Sequence, residues 1–145
     1  MQPVNVHATA LVVDGRGLLI FGPTGAGKST LALQLIDNAK LAGSAAFLVS
    51  DDQVWLVARS GRLVAEAPEN IAGLVEIRGF GPAAIAHEGT AVIDAAIWLV
   101  EPELAPRHRE DETHAVHGVT LPRLDLAAGN PLLGARAVAA WLRTL

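Results

Sequence analysis

The chain has 145 residues, 51% of them hydrophobic and only 4% aromatic, so one domain over residues 1–145 with a core of Ala, Val, Leu and Ile is expected. A formal charge of −4 with scattered Lys and Arg argues against a nucleic acid partner, and the absence of cysteine excludes a disulfide framework or Cys-ligated zinc. The opening residues 1–7 lack the basic and apolar regions of a secretory signal, and Asp94 interrupts the best apolar run, residues 91–100, so no membrane span and a cytoplasmic location are expected.

Residues 4–13 are apolar and β-prone, with His7 inside the run. Asp14-Gly-Arg-Gly17 reads as a turn, since an Asp-Gly pair between apolar segments is a strong hairpin signal. Leu18-Leu-Ile-Phe21 is then the second strand of an antiparallel hairpin. It runs straight into Gly22-Pro-Thr-Gly-Ala-Gly-Lys-Ser29, a complete P-loop pattern. Gly22, Gly25 and Gly27 let the backbone approach a polyphosphate, and successive N–H groups form an anion nest. Pro23, Thr24, Ala26 and Thr30 complete the nucleotide-binding segment. Lys28 is placed to reach the β- and γ-phosphates, and the Ser29 hydroxyl to ligate Mg²⁺. Residues 29–39 read as the helix whose positive end faces the phosphates. The pattern makes ATP and Mg²⁺ the expected cofactors.

Residues 44–50 read as a buried strand ending in Asp51-Asp52. Adjacent carboxylates on an extended strand point to opposite faces, so one can face a metal and the other an acceptor hydroxyl. Residues 53–59 and 62–67 form a second hairpin turning at Ser60-Gly61, and residues 68–74 a linking segment. Glu76-Ile-Arg-Gly-Phe-Gly81 is too charged for a core strand. Glu76 there can complete a shell of oxygen ligands, and Arg78 can hold a phosphate through two hydrogen bonds. Residues 90–99 read as one strand, 101–112 as a solvated loop, 119–126 as the last strand, and Asn130-Pro131 as the start of a C-terminal helix through Leu142. His87, His108, His114 and His117 show no metal-ligand spacing, and three of the four fall in expected loops. Arg107 and Arg109 are candidate mobile cations for a transferring phosphoryl group.

The ordered blocks Val6-His7, the P-loop, Val49-Ser-Asp-Asp-Gln-Val54 and Glu76-Ile-Arg-Gly-Phe-Gly81 together resemble the catalytic domain of HPr kinase/phosphorylase. The last block resembles that family's Glu-Ile-Arg-Gly-Leu-Gly signature. The resemblance implies an α/β fold with a P-loop nucleotide-binding core and antiparallel hairpin elements, similar to phosphoenolpyruvate carboxykinase. It implies an ATP-dependent serine kinase acting on an HPr-like phosphocarrier protein, with phosphorolysis of the phosphoserine as the reverse activity, and a homo-oligomer. It assigns Lys28 to the phosphates, Asp52 as the general base, His7 near the γ-phosphate, and Ser29 and Glu76 to the metal, with Asp51 beside them. Arg78 lies in the segment needed for both reactions, and Arg109, with Arg107 as the alternative, stands for a late catalytic Arg.

The chain departs from the pattern at Ala8 after His7, at Thr30 after Ser29, and near Gly129-Asn130, where a Pro-x-x-x-Gly-Arg loop is not evident. It begins almost at the catalytic domain, as short-form members do. A small-molecule P-loop kinase and a regulatory module that binds nucleotide without transferring phosphate remain the alternatives.

Overall fold

The computed structural model describes residues 2–145. The chain opens with β1 (Val4–Val6), breaks at His7, and resumes as β2 (Thr9–Val13), which pairs antiparallel with β3 (Arg16–Phe21). The link Asp14-Gly15 has positive φ at both residues, 50° and 78°, matching the twist of a two-residue hairpin turn. The strand that feeds the glycine-rich loop is therefore the second arm of a hairpin, as the Asp-Gly pair predicts. The loop delivers α1 (Lys28–Leu41), which stops at Gly43, where φ is 79°.

After α1 come β4 (Ala46–Ser50), the hairpin of β5 (Val54–Arg59) and β6 (Arg62–Glu66), and a second hairpin of β7 (Leu74–Ile77) and β8 (Gly81–Ala84). β9 (Thr90–Ile93) and β10 (Ala95–Val100) follow, then β11 (Glu112–Val116), β12 (Val119–Ala127) and α2 (Pro131–Leu142). Six strands form a mixed sheet in the order β11-β12-β10-β3-β2-β4, and four form a second sheet in the order β1-β5-β6-β9.

The period-2 alternation of β3 separates two apolar clusters. Leu18 and Ile20 face α1 and α2, where Leu31, Leu35, Ile36, Val138 and Trp141 bury. Leu19 and Phe21 face the four-stranded sheet, where Val54, Leu56, Leu63 and Ala65 bury. The result is an α/β fold in three layers: helices, mixed sheet, antiparallel sheet. Within the mixed sheet, β3, β10 and β12 are mutually parallel, so their carboxyl ends share one edge with the glycine-rich loop.

Two sequence expectations are corrected. Residues 4–13 form two strands in different sheets, because the chain changes sheet at His7-Ala8. Residues 90–99 divide at Asp94 for the same reason. There the Asp94 carboxylate accepts the Gly17 N–H at 2.9 Å, and its own N–H donates to the Gly17 carbonyl at 2.8 Å. The 76–81 segment is the turn of a two-stranded hairpin: Glu76 and Ile77 end β7 and Gly81 begins β8, anchored by buried Val75. Residues 112–116 add a strand not expected from sequence, and it carries His114. The missed signal is His117-Gly118, with φ of 49° and 76°, which turns β11 into β12 as Asp14-Gly15 turns β2 into β3.

Candidate functional site

The site grows from two crossovers between the sheets. β2 pairs with β4 in the mixed sheet, ending at Ala10 opposite Ser50. β1 pairs with β5 in the other sheet, ending at Val6 opposite Val54. The connecting residues, His7-Ala8 on one side and Asp51-Asp52-Gln53 on the other, are thereby pinned side by side. His7 Nε2 and Asp52 Oδ1 meet at 2.5 Å.

Asp51 and Asp52 point apart, as adjacent residues leaving a strand should. Asp51 turns inward and is buried. Its Oδ1 accepts from the Ser29 hydroxyl at 2.6 Å and the Thr9 hydroxyl at 3.0 Å, and its Oδ2 accepts the Glu76 N–H at 3.0 Å. One carboxylate thus ties together the start of α1, strand β2 and strand β7. A buried charge is tolerable when it gathers this many donors.

Asp52 turns outward, with 62% of its side chain exposed, and has a φ of 69°. That left-handed conformation is uncommon for a residue with a Cβ, although Asp is among those that tolerate it. The surroundings hold it there. The Gln53 N–H closes on the Asp51 carbonyl at 2.8 Å, the Ser50 hydroxyl donates to the Gln53 carbonyl, and the Asp52 N–H donates to Thr9 Oγ1 at 3.2 Å.

The 22–29 loop supplies the cationic side. Gly22, Gly25 and Gly27 all have φ in the region open to glycine, 159°, 84° and 97°. Lys28 is buried and donates to the carbonyls of Gly22 at 2.9 Å and Pro23 at 3.3 Å, so its stem lies along the loop. Lys28, Ser29, Thr30, Asp52, Glu76 and Arg78 line one cleft of about 160 Å³ together with the glycine backbone. A second groove, of about 200 Å³, continues from it past Thr30 and Arg78 to the β12–α2 link.

Of the residues singled out from sequence, His7, Lys28, Ser29, Thr30, Asp51, Asp52, Glu76 and Arg78 come together at the glycine-rich loop. Arg109 does not join them. It pairs with Asp111 at 3.1 Å and lines a groove with Trp141 and Thr144, at the far end of α2. Arg107 lies on the same exposed loop. Sequence reasoning missed Thr9, whose hydroxyl bonds to Asp51 and also accepts from Asp52. A hydroxyl inside an apolar strand was the available signal, since buried polar groups need partners.

His114 packs against Phe21 and Trp98, with ring centroids 5.1 and 5.5 Å away. Burial, and then the Arg123 guanidinium, lower its pKa below the ordinary imidazole value.

No group of three or more His, Cys, Asp or Glu arranged to hold a metal occurs among the described residues. The oxygen donors present, Ser29 Oγ and the Asp51 and Glu76 carboxylates, nevertheless suit Mg²⁺, which keeps several waters and takes few protein ligands beside substrate phosphates. No helix among the described residues is long and apolar enough to cross a membrane.

Residues 1–94 match the sequence model of the HPr serine kinase C-terminal domain family. The HPr kinase/phosphorylase of Geobacillus thermodenitrificans is 33% identical over 133 residues, covering 83% of this chain and 41% of that protein. The HPr kinase/phosphorylase of Caldicellulosiruptor bescii is 43% identical over 79 residues, covering 54% of this chain and 24% of that protein. The chain therefore spans well under half the length of these relatives. Among solved structures, the Hpr(Ser) kinase/phosphatase of Coxiella burnetii superposes with a TM-score of 0.82 at 29% identity, covering 97% of both chains.

Proposed function

The chain belongs to the HPr serine kinase C-terminal domain family, and from that membership we propose that residues 1–145 act as one catalytic domain that phosphorylates a serine of an HPr-like phosphocarrier protein with ATP. The observation that carries the reading is the meeting of His7 and Asp52 beside the cleft of the glycine-rich loop. A kinase of this class needs little covalent chemistry from the protein, only positioning and charge stabilisation.

In this reading the 22–29 loop is a P-loop. Its backbone N–H groups and Lys28 hold the β- and γ-phosphates, and Lys28 exchanges its carbonyl partners for phosphate oxygens. Ser29, Glu76 and Asp51 would hold Mg²⁺, which would neutralise charge on the phosphates. The acceptor hydroxyl approaches Asp52. His7 Nε2–H donates to Asp52 Oδ1, which leaves Oδ2 to accept the serine proton. As that proton moves, the serine oxygen bonds to the γ-phosphorus and the bond from γ-phosphorus to the bridging oxygen breaks, leaving ADP. Arg78 supplies a guanidinium beside the transferring group. In phosphorolysis an oxygen of inorganic phosphate bonds to the phosphoserine phosphorus, the bond from that phosphorus to the serine oxygen breaks, Asp52 in its protonated form gives the serine oxygen its proton, and pyrophosphate leaves. Arg109 takes no part in these steps.

The test is incubation with ATP, Mg²⁺ and HPr proteins, read by mass spectrometry for phosphoserine. Lys28→Ala should lose both nucleotide binding and turnover. Asp52→Asn should keep ATP binding and lose about 10²–10⁴-fold in transfer rate. Transfer at the parent rate by Asp52→Asn would remove the assigned base. ATP binding with no phosphoprotein formed from any HPr would favour a regulatory module instead.

A further inference from the structure

A separate groove lies at the opposite end of the helix layer. It runs between the C-terminal halves of α1 and α2, against the β2–β3 turn. α1 has 14 residues, which puts the groove about 20 Å from the glycine-rich loop at the helix's other end. Near their first turns the two helices touch: a Cβ on Gly134 would lie 3.2 Å from Leu31 Cδ1. Farther along, the lining residues include Ala39 of α1 and Ala135 and Ala139 of α2, whose short side chains leave the space open. Its volume is about 550 Å³, more than twice that of either cleft beside the loop, and of the size that small-molecule sites have.

The walls are apolar and the mouth is cationic. Val13, Leu35, Ala39 and Ala135 are buried there, and Leu142 is half-buried. Arg16, at the start of β3, and Arg143, at the end of α2, both line the groove. Among the described residues neither guanidinium meets an Asp or Glu side chain. Arg16 directs one N–H at the Leu145 carbonyl, 2.9 Å away, and a guanidinium has several more. Asn38 adds its carboxamide NH₂, because its Oδ1 is taken by Gln34, and Ser44 adds a hydroxyl. Asp14 is the one carboxylate in the lining among the described residues, so two guanidiniums against it leave one positive charge over. The negative ends of two helices reduce that further.

We propose that this groove binds a small organic monocarboxylate with an apolar body. The carboxylate lies between Arg16 and Arg143, where a guanidinium can give it two parallel N–H bonds, with Asn38 and Ser44 as further donors. The apolar body lies along Leu35, Ala39, Ala135 and Ala139. Phosphates and other dianions are disfavoured, because Asp14 and the helix ends oppose a second negative charge. The inference is independent of the nucleotide reading, since no residue lining this groove lines the cleft of the glycine-rich loop.

Calorimetry tests it with hexanoate, which has head and body, against acetate, which is head alone, hexanol, which is body alone, and inorganic phosphate. The parent should bind hexanoate at least about tenfold more tightly than acetate, because several methylenes leave water. It should prefer hexanoate to hexanol by about tenfold, the usual gain of hydrogen bonds to a charged group. Phosphate should not compete with hexanoate. Arg143→Gln should weaken hexanoate about tenfold, and Ala139→Phe, which fills the groove from an exposed position of α2, by at least as much. Lys40→Gln removes a cation of the last turn of α1 that does not line the groove, and should leave the affinity within about twofold. Hexanoate bound no more tightly than acetate, a loss in Lys40→Gln equal to that in Arg143→Gln, or full binding by Ala139→Phe overturns the site. Displacement of hexanoate by phosphate overturns the ligand class.

Discussion

His7 and Asp52 are 45 positions apart, yet Nε2 and Oδ1 lie within 2.5 Å because each sits on a crossover between the same two sheets. The pairings Val6 with Val54 and Ala10 with Ser50 bracket the contact from both sides. The imidazole therefore orients the carboxylate, and the rigidity of two sheets stands behind it.

Substitution of His7 should act on turnover and spare nucleotide binding, because His7 touches Asp52 and none of its hydrogen bonds reach the glycine-rich loop. His7→Ala is expected to lower kcat about 10–100-fold, the usual cost of a misplaced catalytic group, with the ATP dissociation constant unchanged. His7→Gln, which can still donate a hydrogen bond, should recover part of the loss. Equal loss in both variants would show that the donor is not what matters. Phosphoserine formation under saturating ATP provides the measurement.

Thr9→Val should destabilise the fold by about 1–3 kcal/mol, because the Asp52 N–H loses its acceptor and buried Asp51 loses one of its donors. Urea unfolding checks the size. Transfer activity should also drop in the folded variant, since Thr9 helps to hold the turn that carries Asp52. A variant as stable as the parent would mean that water takes over both hydrogen bonds.

Gly17→Ala should be more severe. The added Cβ would lie 1.9 Å from the Val92 carbonyl oxygen, which is backbone and cannot rotate away. Asp94 meanwhile clamps the same glycine from the strand crossover. A loss of about 3 kcal/mol or more is expected, visible as a large fall in the thermal midpoint.

Acid should weaken the protein through His114. Its pKa is lowered in the fold by burial and by Arg123, so the unfolded chain binds its proton first as pH falls. Stability from this group is present above the unfolded value of about 6.5 and declines as pH drops below it toward the lower folded value. His114→Phe keeps the packing on Phe21 and Trp98 and should flatten the decline below about pH 6.5. Denaturant midpoints across that range decide it; an unchanged slope would assign the acid sensitivity elsewhere.

The glycine-rich loop was legible from residue identity alone. Its backbone conformations, its lysine and its hydroxyl are local requirements, and so are the turns at Asp14-Gly15 and Ser60-Gly61. The β-propensity of residues 4–13 and 90–99 was equally legible, but not the change of sheet at His7 and at Asp94. A strand that passes from one sheet to another keeps its local pattern, and only the pairing partners reveal the passage. Those partners lie tens of residues away, so no local signal marks the break.

What the amino-acid order by itself determined was which groups are available: a glycine-rich loop with a lysine and a hydroxyl, two adjacent carboxylates, an early histidine and a charged glycine-rich segment. What only the tertiary structure decided was their company. It turned Asp51 inward onto Ser29, Thr9 and the Glu76 backbone, turned Asp52 outward onto His7, carried Arg109 to the far end of α2, and opened a groove between α1 and the β12–α2 link. Local chemistry is written in neighbouring residues. Long-range company depends on which strands pair and on how two sheets and two helices share one core.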